Sequence, residues 1–191
     1  MNKIRSAFAA TAAAAMLAAG TITALSAPPA EAAVPIGRAC LFLDIAGAKG
    51  AGHTAWALRN PQNRKQWIWG SIEGSNPVTI PAGKPNGSKL GSGTWESLRA
   101  SFVSPRRYEY YRCINTAGGS LKAAKAKYQQ TARNGYDLRN NNCLTKPIAI
   151  FRSYSTAFTP ANLPGGAKTP PNYYFKVTLD HARGWEQIHS Y

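Results

Sequence analysis

Cys143 follows Asn140-Asn141-Asn142 and precedes Leu144, Ile148 and Phe151, apolar residues at helical spacing, so its thiol stands at or just before a helix start. There the unsatisfied backbone N–H groups and the positive end of the helix lower a thiol pKa below its usual value of about 8.5. The same N–H groups can hold an oxyanion when sulfur attacks a carbonyl. Such a nucleophile needs a base. His53 opens an alternating stretch after the glycine-rich turn Gly47–Gly52, where its ring can project from a sheet edge into a cleft. If the following hairpin folds about Gln62, His53 lies opposite Ser71 and Glu73 is its diagonal neighbour on the same face. Either side chain can accept the imidazole N–H, the carboxylate more strongly. Cys143, His53, Glu73 and Ser71 are therefore the candidate catalytic residues, while His181 and His189 lie in a polar tail. Pro147 cannot donate a helical hydrogen bond, so regular helix is expected to begin one or two residues past Cys143.

Cys40, Cys113 and Cys143 allow one bridge and one leftover thiol. Lys3 and Arg5, the apolar run Ala7–Ala19 and the small residues flanking Glu31 read as a secretory signal peptide over residues 1–32, with cleavage after Ala32. The run is shorter than the about 20 apolar residues that a membrane span requires, and no later stretch is apolar enough. Disulfides persist outside the cell, and an odd cysteine in a secreted protein is an intermolecular link or a reactive group. A thiol enzyme requires Cys143 to be the free one, with Cys40 bridged to Cys113. A bridged Cys143 points elsewhere.

The chain has 191 residues, 23 Lys+Arg against 8 Asp+Glu and a formal charge of +15. That excludes an acidic solvating protein, and the length after the leader, residues 33–191, fits one domain. The charge favours an anionic cell-envelope polymer or a peptide substrate as partner, with nucleic acid the second choice. Arg106-Arg107-Tyr108 and Tyr110-Tyr111-Arg112 interleave cations with aromatics, a pattern that stacks bases or sugars but also occurs in ordinary strands. No CxxC, HExxH or cluster of three ligands is present, and Gly47–Gly52 lacks the Lys-Ser/Thr of a phosphate loop, so no metal or other cofactor is expected. A monomer is expected.

The elements that must position these groups can be read coarsely. Ala39–Ile45, His53–Arg59 and Gln66–Glu73 read as strands of an antiparallel meander. Gly74–Gly93 reads as a long surface loop, and Trp95–Phe102 and Tyr108–Ile114 as strands broken at Ser104-Pro105. Ser120 caps a helix over Leu121–Arg133 with Lys122, Lys125 and Lys127 on a basic face. A second helix covers Leu144–Thr156, and Asn172–Leu179 reads as a last strand. The expected class is α+β, an antiparallel sheet packed against two or three helices.

Gly52-His53-Thr54-Ala55-Trp56-Ala57-Leu58 early in the chain, with Tyr136-Asp137-Leu138 and Asn142-Cys143-Leu144-Thr145 much later, resembles the circularly permuted papain-like fold. That group holds permuted relatives of NlpC-type cell-wall endopeptidases and lecithin:retinol-acyltransferase-like proteins. The resemblance spans roughly His53 to Tyr154. It implies Cys143 as nucleophile, His53 as base and a polar residue of the following strand as its orienter. Three functions follow: a secreted thiol hydrolase or acyl/peptidyl transferase acting on an amide or ester at the cell envelope; a basic secreted nuclease or toxin using His53 and Glu73; and a non-catalytic, disulfide-stapled binding or inhibitor module. A free Cys143 favours the first, and a bridged Cys143 one of the others.

Overall fold

The computed structural model describes residues 34–74, 79–103 and 108–190. The expected leader, the Ser104-Pro105 break, Arg106 and Arg107 lie outside these residues. β1 (Ile36–Asp44), β2 (His53–Arg59), β3 (Trp67–Ser71) and β4 (Lys89–Gly93) are followed by α1 (Trp95–Val103), β5 (Tyr110–Ala117), α2 (Leu121–Thr131) and α3 (Thr145–Tyr154). A short helix, α4 (Pro171–Tyr173), runs into a π-turn over Tyr174–Thr178, and β6 (His189–Ser190) ends the described chain. The strands form one sheet in the order β4-β3-β2-β1-β5-β6, with every pairing antiparallel. The α+β class and the antiparallel meander are as expected.

The alternation in β1 and β2 determines what covers the sheet. Leu41, Leu43, Trp56 and Leu58 face one side, where Tyr128 of α2, Ile148 and Phe151 of α3, and Tyr174 and Leu179 close over them. Cys40, Phe42, Ala55 and Ala57 face the other, under Leu98 and Phe102 of α1. Burying a large apolar side chain contributes about 2 kcal/mol over leaving it exposed, so both faces drive folding. Cys40 and Cys113 are direct cross-strand partners of β1 and β5, and a disulfide joins them.

Three expectations fail. Trp95–Phe102 is helix α1, not strand. Its aromatic content suggests a strand, but Leu98 and Phe102 recur at helical spacing and point into one core. Thr94 caps the helix, accepting the Ser97 N–H at 3.3 Å. Asn172–Leu179 is α4 with its π-turn: Pro170 and Pro171 give the start of a helix, and Pro171 cannot serve a ladder. Finally, Lys89–Gly93, within the expected loop, is the edge strand β4. Its five residues are two glycines with Lys, Leu and Ser, so no alternation marks it.

Within the interleaved Arg–Tyr stretch, Arg112 and Tyr111 are used for packing. The Arg112 guanidinium is buried and donates to the Phe175 carbonyl at 3.0 Å, the Glu186 carbonyl at 3.0 Å and the Asp180 carboxylate at 3.3 Å. The Tyr111 ring stacks between Phe42 and His189.

Candidate active site

Asn142 prepares the start of α3. Its side-chain oxygen accepts the N–H groups of Leu144 at 2.9 Å and Thr145 at 3.0 Å, while the Thr145 hydroxyl accepts the Asn142 N–H at 2.8 Å. This reciprocal cap fixes Cys143 between the cap and the helix. It also corrects an expectation. The amides supposed to await an oxyanion are engaged, because the Cys143 N–H points to the Tyr136 hydroxyl at 3.4 Å and the next two go to Asn142.

Pro147 has a second consequence. In a regular helix its N–H would bond the carbonyl of Cys143, and proline has none. That carbonyl accepts instead from the Thr54 hydroxyl on β2 at 2.5 Å. The Thr54 backbone N–H meanwhile donates to the Cys143 sulfur. Thr54 thus holds Cys143 at its carbonyl and at its sulfur, and it adjoins His53.

Cys143 is free and 3% exposed. Burial pushes its thiol pKa up. A hydrogen bond from His53 and the charge of that ring, the Thr54 N–H and the Tyr136 hydroxyl outweigh this and hold it below the ordinary thiol range. At His53, burial disfavours the charged ring, but contacts with Cys143 and Glu73 and their negative charges raise its pKa to about 10. Both shifts run toward a thiolate–imidazolium pair, the contacts with His53 favouring the ionised sulfur and those with Cys143 and Glu73 the charged ring.

His53 Nε2 stands 3.2 Å from Glu73 Oε2, an ion pair whose angle departs from a well-aligned hydrogen bond. The Ser71 hydroxyl donates to the other Glu73 oxygen at 2.7 Å. The register differs from the expected one. The loop closes with the Asn60 N–H on the Gln66 carbonyl and is centred on Asn63, one residue later than Gln62. Ser71 accordingly pairs with Ala55. Continuing that register past the last paired residues brings Glu73 opposite His53, which makes it a direct neighbour and not a diagonal one. Ser71 then orients the carboxylate and not the ring.

Gly52, just before His53, has φ +93°. A Cβ there would meet Asn172 at 2.5 Å, so the position requires glycine. Asn172 ties the two lips of the site, its side-chain amide donating to the Gly50 carbonyl at 2.7 Å and its N–H to the Ala51 carbonyl at 3.1 Å. Between the lips opens a cleft of about 420 Å³, with Gly52, Tyr136, Asn142, Cys143 and Pro171 among its walls.

Comparison with protein-family models, curated proteins and solved structures finds no match. The chemistry of the site therefore rests on its own geometry.

Cys143, His53, Glu73 and Ser71 all converge, while His181 and His189 do not join them: His181 contacts the Val177 carbonyl and His189 faces Glu186. Thr54 and Tyr136 were not singled out from the sequence. Pro147 carried a signal for Thr54, since it implies a carbonyl at residue 143 in need of an outside donor. Tyr136 had no signal beyond its place in the Tyr-Asp-Leu motif. Among the described residues no group of three His, Cys, Asp or Glu side chains could hold a metal ion, and no helix is long and apolar enough to cross a membrane.

Proposed function

We propose that the protein is a secreted, basic thiol hydrolase or acyl/peptidyl transferase of permuted papain-like type, acting on an amide or ester at the cell envelope. One observation carries this reading: the free thiol of Cys143 is hydrogen-bonded to His53, whose Nε2 faces Glu73. The nuclease and the disulfide-stapled module had a bridged Cys143 as their mark, and the bridge instead joins Cys40 and Cys113.

The steps follow from the atoms. With Nε2 turned to Glu73, Nδ1 is the nitrogen left for the sulfur. The thiolate attacks the carbonyl carbon, a C–S bond forms, and the C=O π pair moves to oxygen. For that oxyanion the nearest donors are the Cys143 N–H, which must give up the Tyr136 oxygen it now meets, and the Tyr136 hydroxyl, which must turn from the sulfur. As the pair returns, the C–N or C–O bond breaks and the imidazolium gives its proton to the leaving amine or alkoxide. Neutral His53 then takes a proton from water, or from an acceptor amine, as that group attacks the thioester. Collapse expels the thiolate and restores the ion pair. Glu73 keeps the ring oriented and favours its charged form throughout.

The test is trapping. A p-nitrophenyl ester should release a burst of nitrophenol and leave an acyl group on Cys143, found by mass spectrometry of the peptide. Cys143→Ala should show neither. Absence of an adduct together with absence of turnover would overturn the proposal.

A further inference from the structure

We propose that the cleft beside Cys143 is a seat for a carboxylate of the peptide or acyl group being processed, held by Arg139 and Lys168; the proposal rests on this cleft being the substrate site of the thiol enzyme above. Leu138, Pro170 and Pro171 give the cleft an apolar wall, Arg139 and Lys168 are the two charged residues in its lining, and no carboxylate lines it. Leu138 is 59% exposed, an open apolar contact.

The two cations come from distant segments whose backbones are pinned together, the Lys168 N–H donating to the Arg139 carbonyl at 2.7 Å. Lys168 holds a left-handed φ of 61° in this arrangement, which fixes where its side chain departs. Asp137, the acid nearest in sequence, turns its carboxylate to the N–H groups of Arg139 at 2.9 Å and Asn140 at 2.7 Å. Among the described residues, neither cationic side chain has an ion-pair partner. Two unpaired cations beside apolar walls make a local positive potential. An Arg fork beside a Lys point charge matches a single carboxylate. A long polyanion would need a continuous charged track, whereas the remaining lining is Ala, Gly, Tyr, Leu, Asn, Cys, Thr and Pro.

The test compares two isosteric peptides, N-acetyl-glutamyl-glycinamide and N-acetyl-glutaminyl-glycinamide, by calorimetric binding to the full chain carrying Cys143→Ala at low salt. The glutamyl peptide should bind about tenfold more tightly, as expected for a partly exposed charge-assisted pair. Adding Arg139→Gln and Lys168→Gln should remove that preference. Equal affinities, no binding of either peptide, or a preference that survives the double substitution would overturn the proposal. A second arm separates this idea from the catalytic one. If Cys143 of the unmodified protein resists both iodoacetamide and iodoacetate while the glutamyl preference holds, the nucleophile fails and the carboxylate seat stands.

Discussion

The sulfur of Cys143 receives three donors of different origin: an imidazolium, a backbone amide and a phenol. Each has a distinct expected effect. Removing the ring by His53→Ala leaves the thiol buried and without its counter-charge, so its pKa rises. Iodoacetamide labelling at pH 7 should slow on the order of tenfold, because a thiol titrating near or above about 8.5 is only a few per cent ionised there. The sign of the pH profile follows from the two shifts. His53 is raised, so the proton it supplies is present below its folded pKa and lost as pH rises through about 10. Cys143 is lowered, so its thiolate is lost only as pH falls through a value below the ordinary thiol range. kcat/KM for an ester should therefore be bell-shaped, with an upper limb near 10. Glu73→Gln removes a charge that raises His53 and should move that limb to lower pH; an unmoved limb would deny Glu73 its orienting role. Thr54→Val keeps the amide but orphans the Cys143 carbonyl. It should lower stability in urea by about 1–3 kcal/mol, the cost of a buried acceptor left unmade.

The elements explain how so much of the site could be read from sequence, and where reading stopped. β2 was legible to the residue, since Trp56 and Leu58 alternate with Ala55 and Ala57 between a glycine turn and an Asn-Pro loop. α3 was legible from its apolar spacing. Pairing register was not, because a turn centred on Asn63 instead of Gln62 changes which residue meets His53 without altering the pattern of either strand. Aromatic-rich helices were misread for a related reason. In α1 and in the π-turn after α4, bulky residues that favour strands serve tertiary packing, and the spacing or the flanking prolines carried the better signal. The helix start carrying the thiol depends on its cap. Asn142→Ala should cost about 1 kcal/mol, measured as a lower urea midpoint at unchanged slope.

At the scale of the whole molecule, two forces act far from the cleft. The Cys40–Cys113 bridge spans 73 residues of sequence, and replacing both cysteines by alanine should lower stability by about 4 kcal/mol through the freedom returned to the unfolded chain. Equal urea midpoints for the two proteins would contradict that. The formal charge of +15 predicts association with anionic cell-wall polymers that weakens steeply between low and physiological salt, as screening shortens to about 8 Å. Salt-independent sedimentation with cell walls would remove the electrostatic basis for that partner.

The placement of the sulfurs also matters while the chain is still being oxidised. Three thiols can couple in three ways, and two of those products would consume the sulfur of Cys143, the proposed nucleophile. The β1–β5 register sets Cys40 against Cys113 beneath α1, whereas α3, which follows Cys143, packs on the reverse side of the same sheet. Once those two strands zip, a wall of backbone separates the third thiol from the other two. Under oxidising conditions the fold then steers bridging to Cys40 and Cys113, and a shuffled isomer should revert to that pairing as soon as it is allowed to exchange.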